Sequence, residues 1–174
     1  MFYALMIDSN GSGIGSHTYV EQPSFYPSNE IPCTEAQAKN SMAYQVVNGQ
    51  IVENLSYAKS SQIALLQSAF QKAEQAPVSV TLASGVTTSF GMTPHDWTKI
   101  VGLYSKYVAK GVTVPSGYQI PDASGVLQAI TVADIENLFD AGETRMTGAI
   151  AKLASLVGQV EAATTVSAVQ AIVY

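Results

Sequence analysis

TVADIENLFDAGETRMTGAIAKLASLVGQV, residues 131–160, carries the longest periodic pattern in the chain and decides how the rest is read. Thr131 and Asp134 stand at helix-cap spacing. Ile135, Phe139, Gly142, Met146, Ala149, Leu153, Leu156 and Val160 then step alternately by four and three, which lays them along one stripe of a helix. Continuous over 132–162, that helix would run about 45 Å at about 1.5 Å per residue. Gly142, Gly148 and Gly158 each weaken it by up to about 1 kcal/mol relative to alanine, so a kink or break stays open. The stripe must be covered, because each large apolar side chain left in water forfeits about 1.5 kcal/mol or more. Partners exist within the chain: Ile63, Leu66, Phe70 and Ala73 in a helix over 57–75, ended by Pro77, and Trp97, Ile100, Val101, Tyr104 and Val108 in a helix over 94–109. The rival is a self-associating coiled coil. Shallow positions at Gly142 and Ala149, and the lack of paired opposite charges beside the stripe, favour intramolecular packing, with a homo-oligomer as the alternative.

Upstream of these helices the periodicity changes to two. Residues 2–7 alternate, Asp8 to Gly13 supplies turn chemistry, and 14–20 return as a second strand. Residues 21–32 hold Pro23, Pro27 and Pro32 with Phe25 and Tyr26, which suits an extended surface loop that cannot join a ladder freely. Thr34 and Gln37 have capping-box spacing for a short helix to about Met42. Asn48-Gly49, between Tyr44–Val47 and Gln50–Val52, is a strong type I′ hairpin signal. A further hairpin is expected over 78–90, and a loop or small ribbon over 115–127. Thr93-Pro94-His95-Asp96 reads as a helix amino terminus, and Thr164-Thr165 as the cap of a short last helix. The fold class expected is α+β: a small hairpin-rich N-terminal unit over 1–55, then a helical unit over 56–174 carrying one or two β-hairpins.

Composition narrows function. The 174 residues are 47% hydrophobic, enough for a sizeable core or two small ones, and the net charge of −5 argues against an electrostatic grip on nucleic acid. No stretch approaches the roughly 18 apolar residues of a membrane span. The apolar start, Met1 to Ile7, is too short for a signal h-region. Both observations imply a protein kept in the cytoplasm. Cys33 is the sole cysteine, so no intrachain disulfide forms.

Catalytic patterns fail one by one. Gly11, Gly13 and Gly15 lack phosphate-loop spacing. His17 and His95 are too few for a three-histidine zinc site, and His95-Asp96 reads as capping. Glu136, Asp140 and Glu143 share a face near Arg145 as a solvated stripe. No Gly-x-Ser-x-Gly elbow is present. The expectation is no enzyme, no cofactor and no metal. Phe2, Tyr3, Tyr19, Phe25 and Tyr26 are more aromatics than two small hairpins readily bury, and such residues favour interface centres. They are the candidate partner-binding surface.

From about Tyr57 to Val173 the chain resembles an uncharacterised domain family at the carboxy terminus of phage and prophage tail-fibre assembly proteins. The resemblance rests on Lys59 and Gln62, the hairpin Val80 to Phe90, Met92-Thr93-Pro94, Thr131 to Asp134, and the ending Ile150 to Val173 with Val160-Glu161-Ala162-Ala163-Thr164-Thr165. Phe2-Tyr3-Ala4-Leu5 and the hairpin Tyr44 to Val52 are similar in style to the front of those proteins. The stretch Gly111 to Ile130 lacks the tryptophan of a typical member. The resemblance implies a chaperone that helps a trimeric tail fibre fold, in some cases staying at its tip. Its partner would be a phage tail fibre or other tail protein, met in the host cytoplasm during assembly. A permanent structural component of the tail is the alternative.

Overall fold

The computed structural model describes residues 1–174 and is α+β. Two compact units form, one from Met1–Leu65 and Leu156–Val173, the other from Leu66–Ser155 with Tyr174. Composition changes near residues 54–61. The return of residues 156–173 to the first unit has no compositional mark.

In the first unit β1 (Phe2–Ile7) is the centre of an antiparallel sheet of order β2-β1-β3, with β2 (Gly13–Tyr19) and β3 (Glu30–Cys33) at its edges. The proline-rich loop thus ends in a strand that joins the ladder, which corrects the expectation for residues 21–32. Pro32 lies opposite Ala4, and an edge position tolerates its missing N–H. Ala4 and Leu5, on opposite faces of β1, are both completely buried. The Leu5 face meets α1 (Glu35–Lys39), where the Ser16 hydroxyl donates to the Ala38 carbonyl at 2.9 Å. Thr34 and Gln37 form the capping box. A 3₁₀ turn over Ser41–Ala43 leads to the hairpin of β4 (Tyr44–Val47) and β5 (Gln50–Glu53), with Asn48 and Gly49 both at positive φ, as a type I′ turn requires. The α2 helix (Leu55–Gln75) starts here, with Asn54 accepting from the Tyr57 N–H. Lys59 and Gln62 donate to the carbonyls of Glu161 and Ile172, each at 2.6 Å. Val160 and Val169, the latter on α5 (Val166–Gln170), are fully buried.

The second unit is built on a hairpin of β6 (Val78–Thr81) and β7 (Thr87–Phe90), a ribbon of β8 (Gln119–Pro121) and β9 (Leu127–Ala129), and helices. Val78, Val80, Leu82 and Phe90 point into one core with Ile100, Tyr107, Ile130, Ile135 and Leu138. α3 (Pro94–Leu103) is capped by Thr93, whose hydroxyl accepts the Asp96 N–H. The expected helix changes pitch past Leu103: Tyr104–Ala109 is a π-helix. Tyr107 of that π-helix is buried, whereas Val101, upstream of it in α3, is exposed, so the expected stripe took in Val101 and left out Tyr107.

α4 (Val132–Ala162) is unbroken, and all eight stripe positions are buried or half-buried by this chain's own residues. Gly142 explains one apparent weakness. A Cβ there would lie 2.4 Å from the Trp97 ring, which stacks on Phe139 with centroids 5.4 Å apart. Phe139 stacks in turn on Tyr104 at 4.0 Å. Trp97 is therefore half-buried against the core rather than within it. Arg145, near the acidic stripe of Glu136, Asp140 and Glu143 in sequence, turns its guanidinium to the carbonyls of Ala73, Glu74 and Ala76 at the carboxy-terminal end of α2.

Asp134 is the buried polar group of this unit. It accepts the Thr131 N–H at 2.8 Å and hydroxyl at 2.7 Å on one oxygen and the Ala83 N–H at 2.6 Å on the other. Burial pushes its pKa up, and the hydrogen bonds from Thr131 and Ala83 outweigh it, so the carboxyl sits below its ordinary range.

Gly142→Ala is expected to destabilise by about 1–3 kcal/mol through overpacking and to shift the emission of the chain's one tryptophan, with denaturant titration followed by fluorescence as the check. Asp134→Ala is expected to lower stability by about 1–3 kcal/mol. Because folding depresses this pKa, the carboxylate's contribution is complete above about pH 4, where unfolded aspartates ionise. It is lost as pH falls through the folded value. The stability gap between wild type and Asp134→Asn should therefore narrow on acidification, as read by melts across pH.

Candidate functional site

The site is the Ala4 face of the first sheet. Strand alternation puts Phe2, Ala4 and Met6 on that face, with Tyr19 opposite Phe2, His17 opposite Ala4 and Glu30 opposite Met6. The Glu30 side chain crosses over β1 to reach β2. One oxygen lies 2.6 Å from His17 Nδ1, and the other accepts the Tyr19 hydroxyl. Glu30 is buried while the His17 side chain is half-exposed, so the carboxylate forms a base beneath the rings. Edge-to-face contacts extend the layer from His17 to Tyr19, at 6.3 Å between centroids, and from Tyr19 to Tyr26, at 5.7 Å.

Electrostatics follow from that geometry. The hydrogen bond to Glu30 raises the Tyr19 pKa above its ordinary value, with burial, the carboxylate's charge and Tyr26 adding to it. His17 and Glu30 are two groups of metal-ligand type, and no set of three His, Cys, Asp or Glu converges in the chain. The arrangement fixes ring orientations through one shared carboxylate, an order that suits a rigid contact surface.

Of the five aromatics singled out in the sequence, the structure brings Tyr19 and Tyr26 together and sets Phe2 beside Tyr19. Phe2 is 39% exposed and Phe25, in the loop before β3, 78%. Tyr3 belongs to the opposite face, in register with Thr18 and Cys33. Burial raises the Cys33 thiol pKa. Sequence reasoning missed His17 and Glu30. His17 could have been reached from its two-residue spacing to Tyr19, whereas Glu30 depends on the non-local pairing of β3 with β1.

The second unit carries a cleft of about 270 Å³, with Trp97, Met92 and Met146 as apolar wall and Glu74 and Arg145 as polar rim. Arg145 Nε is buried there without a hydrogen-bond partner. No helix is long and apolar enough to cross a membrane.

Comparison with known proteins returned no matching family model, no matching curated protein and no matching solved structure. Function is therefore argued from the residues and geometry of this chain.

The Tyr19 hydroxyl should titrate above the usual tyrosine value of about 10, and Glu30→Gln should bring it back toward that value. Tyrosine-labelled NMR across alkaline pH is the check, and an unchanged Tyr19 titration in Glu30→Gln would remove the carboxylate as its cause.

Proposed function

We propose that this chain is a bacteriophage tail-fibre assembly protein that binds a tail fibre or other tail protein and does not turn over a substrate. The observation that carries the reading is the aromatic layer of the first sheet, held from below by buried Glu30 and bearing exposed Phe2 and Phe25. Tyr and Phe contribute large contact area at low conformational cost, which is why they concentrate where partners meet. The resemblance of Tyr57 to Val173 to the carboxy-terminal domain of fibre-assembly proteins gives the partner its class. Such a protein acts in the host cytoplasm during assembly and, where it stays on the fibre, in the virion tail.

Pull-down of the fibre protein from the same phage by the full chain tests the proposal. Phe25→Ser is expected to weaken capture at least about tenfold while the melting temperature changes little, because that side chain is 78% exposed, and Phe2→Ser should act in the same direction on capture. Undiminished capture would sink the assignment of this face. Mass spectrometry of purified particles then separates a chaperone that departs, absent from virions, from a tail subunit present in fixed ratio to the fibre.

A further inference from the structure

A second concave site lies within the first unit, lined by none of the aromatic-face residues, where the β4–β5 hairpin meets the first turns of α2 and the α5 helix. It is a cleft of about 410 Å³. Two half-buried tyrosines, Tyr44 and Tyr57, line it with the amides of Asn40, Gln62 and Gln170 and the carboxylate of Glu53.

Its chemistry is specific in two ways. First, hydrogen-bonding capacity is left over. Gln62 uses its Nε2 on the Ile172 carbonyl, and the Tyr44, Tyr57, Glu53 and Gln170 side chains make no hydrogen bond within the chain and are open to solvent or to a ligand. Amides and hydroxyls each offer donor and acceptor, and the carboxylate offers acceptors alone. A ligand that satisfies such a wall presents several groups that are both donor and acceptor. Second, no lysine, arginine or histidine lines the cleft, so nothing compensates an anion and Glu53 repels one.

We infer that this cleft binds a neutral polyhydroxylated ligand, a saccharide without charged substituents, with the amides and Glu53 taking ring hydroxyls and the tyrosines packing against C–H faces. The inference goes beyond the proposed fibre binding and uses none of its residues. Glycan could reach the cleft as a free oligosaccharide or as part of a surface polymer.

Saturation-transfer NMR on the full chain tests it with neutral gluco-, galacto- and N-acetylhexosamine oligosaccharides, their sialylated or sulfated counterparts, and a neutral polysaccharide. The expected result is transfer to at least one neutral sugar at concentrations up to about 10 mM, weakened about tenfold or more by Gln170→Ala and by Glu53→Ala. Both positions are exposed, so the fold is kept. Tyr57→Ala should act in the same direction. Transfer to oligosaccharide and polysaccharide alike would mark a site for free glycan, and transfer to the polymer alone a site for surface glycan. Absence of transfer to every neutral sugar, preference for the anionic ones, or binding indifferent to Gln170→Ala and Glu53→Ala would overturn the inference. Fibre capture in the same variants should stay intact, so failure here leaves the fibre reading untouched.

Discussion

A carboxylate taken out of water must be met by donors, and each unit of this protein is arranged around one that is. In the first unit Glu30 reaches from the edge strand β3 across β1 to His17 and Tyr19 on β2. In the second, Asp134 caps the start of α4 through Thr131 and receives the Ala83 N–H from the β6–β7 turn. Stranding either charge would cost several kcal/mol. Each therefore ties together elements that are distant in sequence. The Glu30 cluster orients the His17 and Tyr19 rings of the aromatic face.

The turns show the same economy of polar groups. Asp8–Ser12, Leu82–Val86 and Asp122–Val126 share one geometry, in which the first residue's N–H meets the fifth carbonyl at 2.8–2.9 Å and the fourth N–H returns to the first carbonyl. Asp8 and Asp122 also accept the N–H groups of the third and fifth residues. Where Leu82 stands in that place no carboxylate is available, and Asp134 supplies one from another element to the second residue. Hydrogen bonds, from Ser124 foremost, hold the Asp122 carboxyl well below the usual range against the opposing effect of burial. That charge also ties β7 to the ribbon through Thr88 and Gln128.

Local signals were legible in the sequence because they are short-range. The Asn48-Gly49 turn, the Thr34, Thr93, Thr131 and Thr165 caps and the α4 stripe all depend on residues within a turn or two of each other. What was hidden is non-local. Pro32 argued against a strand, yet the edge beside Ala4 accepts it. The π-helix past Leu103 carries Tyr107, which no 3.6-residue reading had placed in the core. Gly142 read as a weakness until Trp97 was seen against it. The Ser84-Gly85 turn is legible on its own, and its Ala-Ser-Gly-Val sequence recurs at 123–126 in the turn between β8 and β9. For the site, the aromatics announced themselves by excess, whereas their organiser, Glu30, looked like one more loop acid.

We propose the Ala4 face of the first sheet as the place where a tail protein is held. Hydrogen–deuterium exchange of the full chain, alone and mixed with the fibre protein of the same phage, addresses it most directly. Binding at that face should add protection in β1, in β2 near His17 and Tyr19, and in the 21–29 loop that carries Phe25. Protection confined to the second unit, with those three segments exchanging as in the free chain, would contradict it.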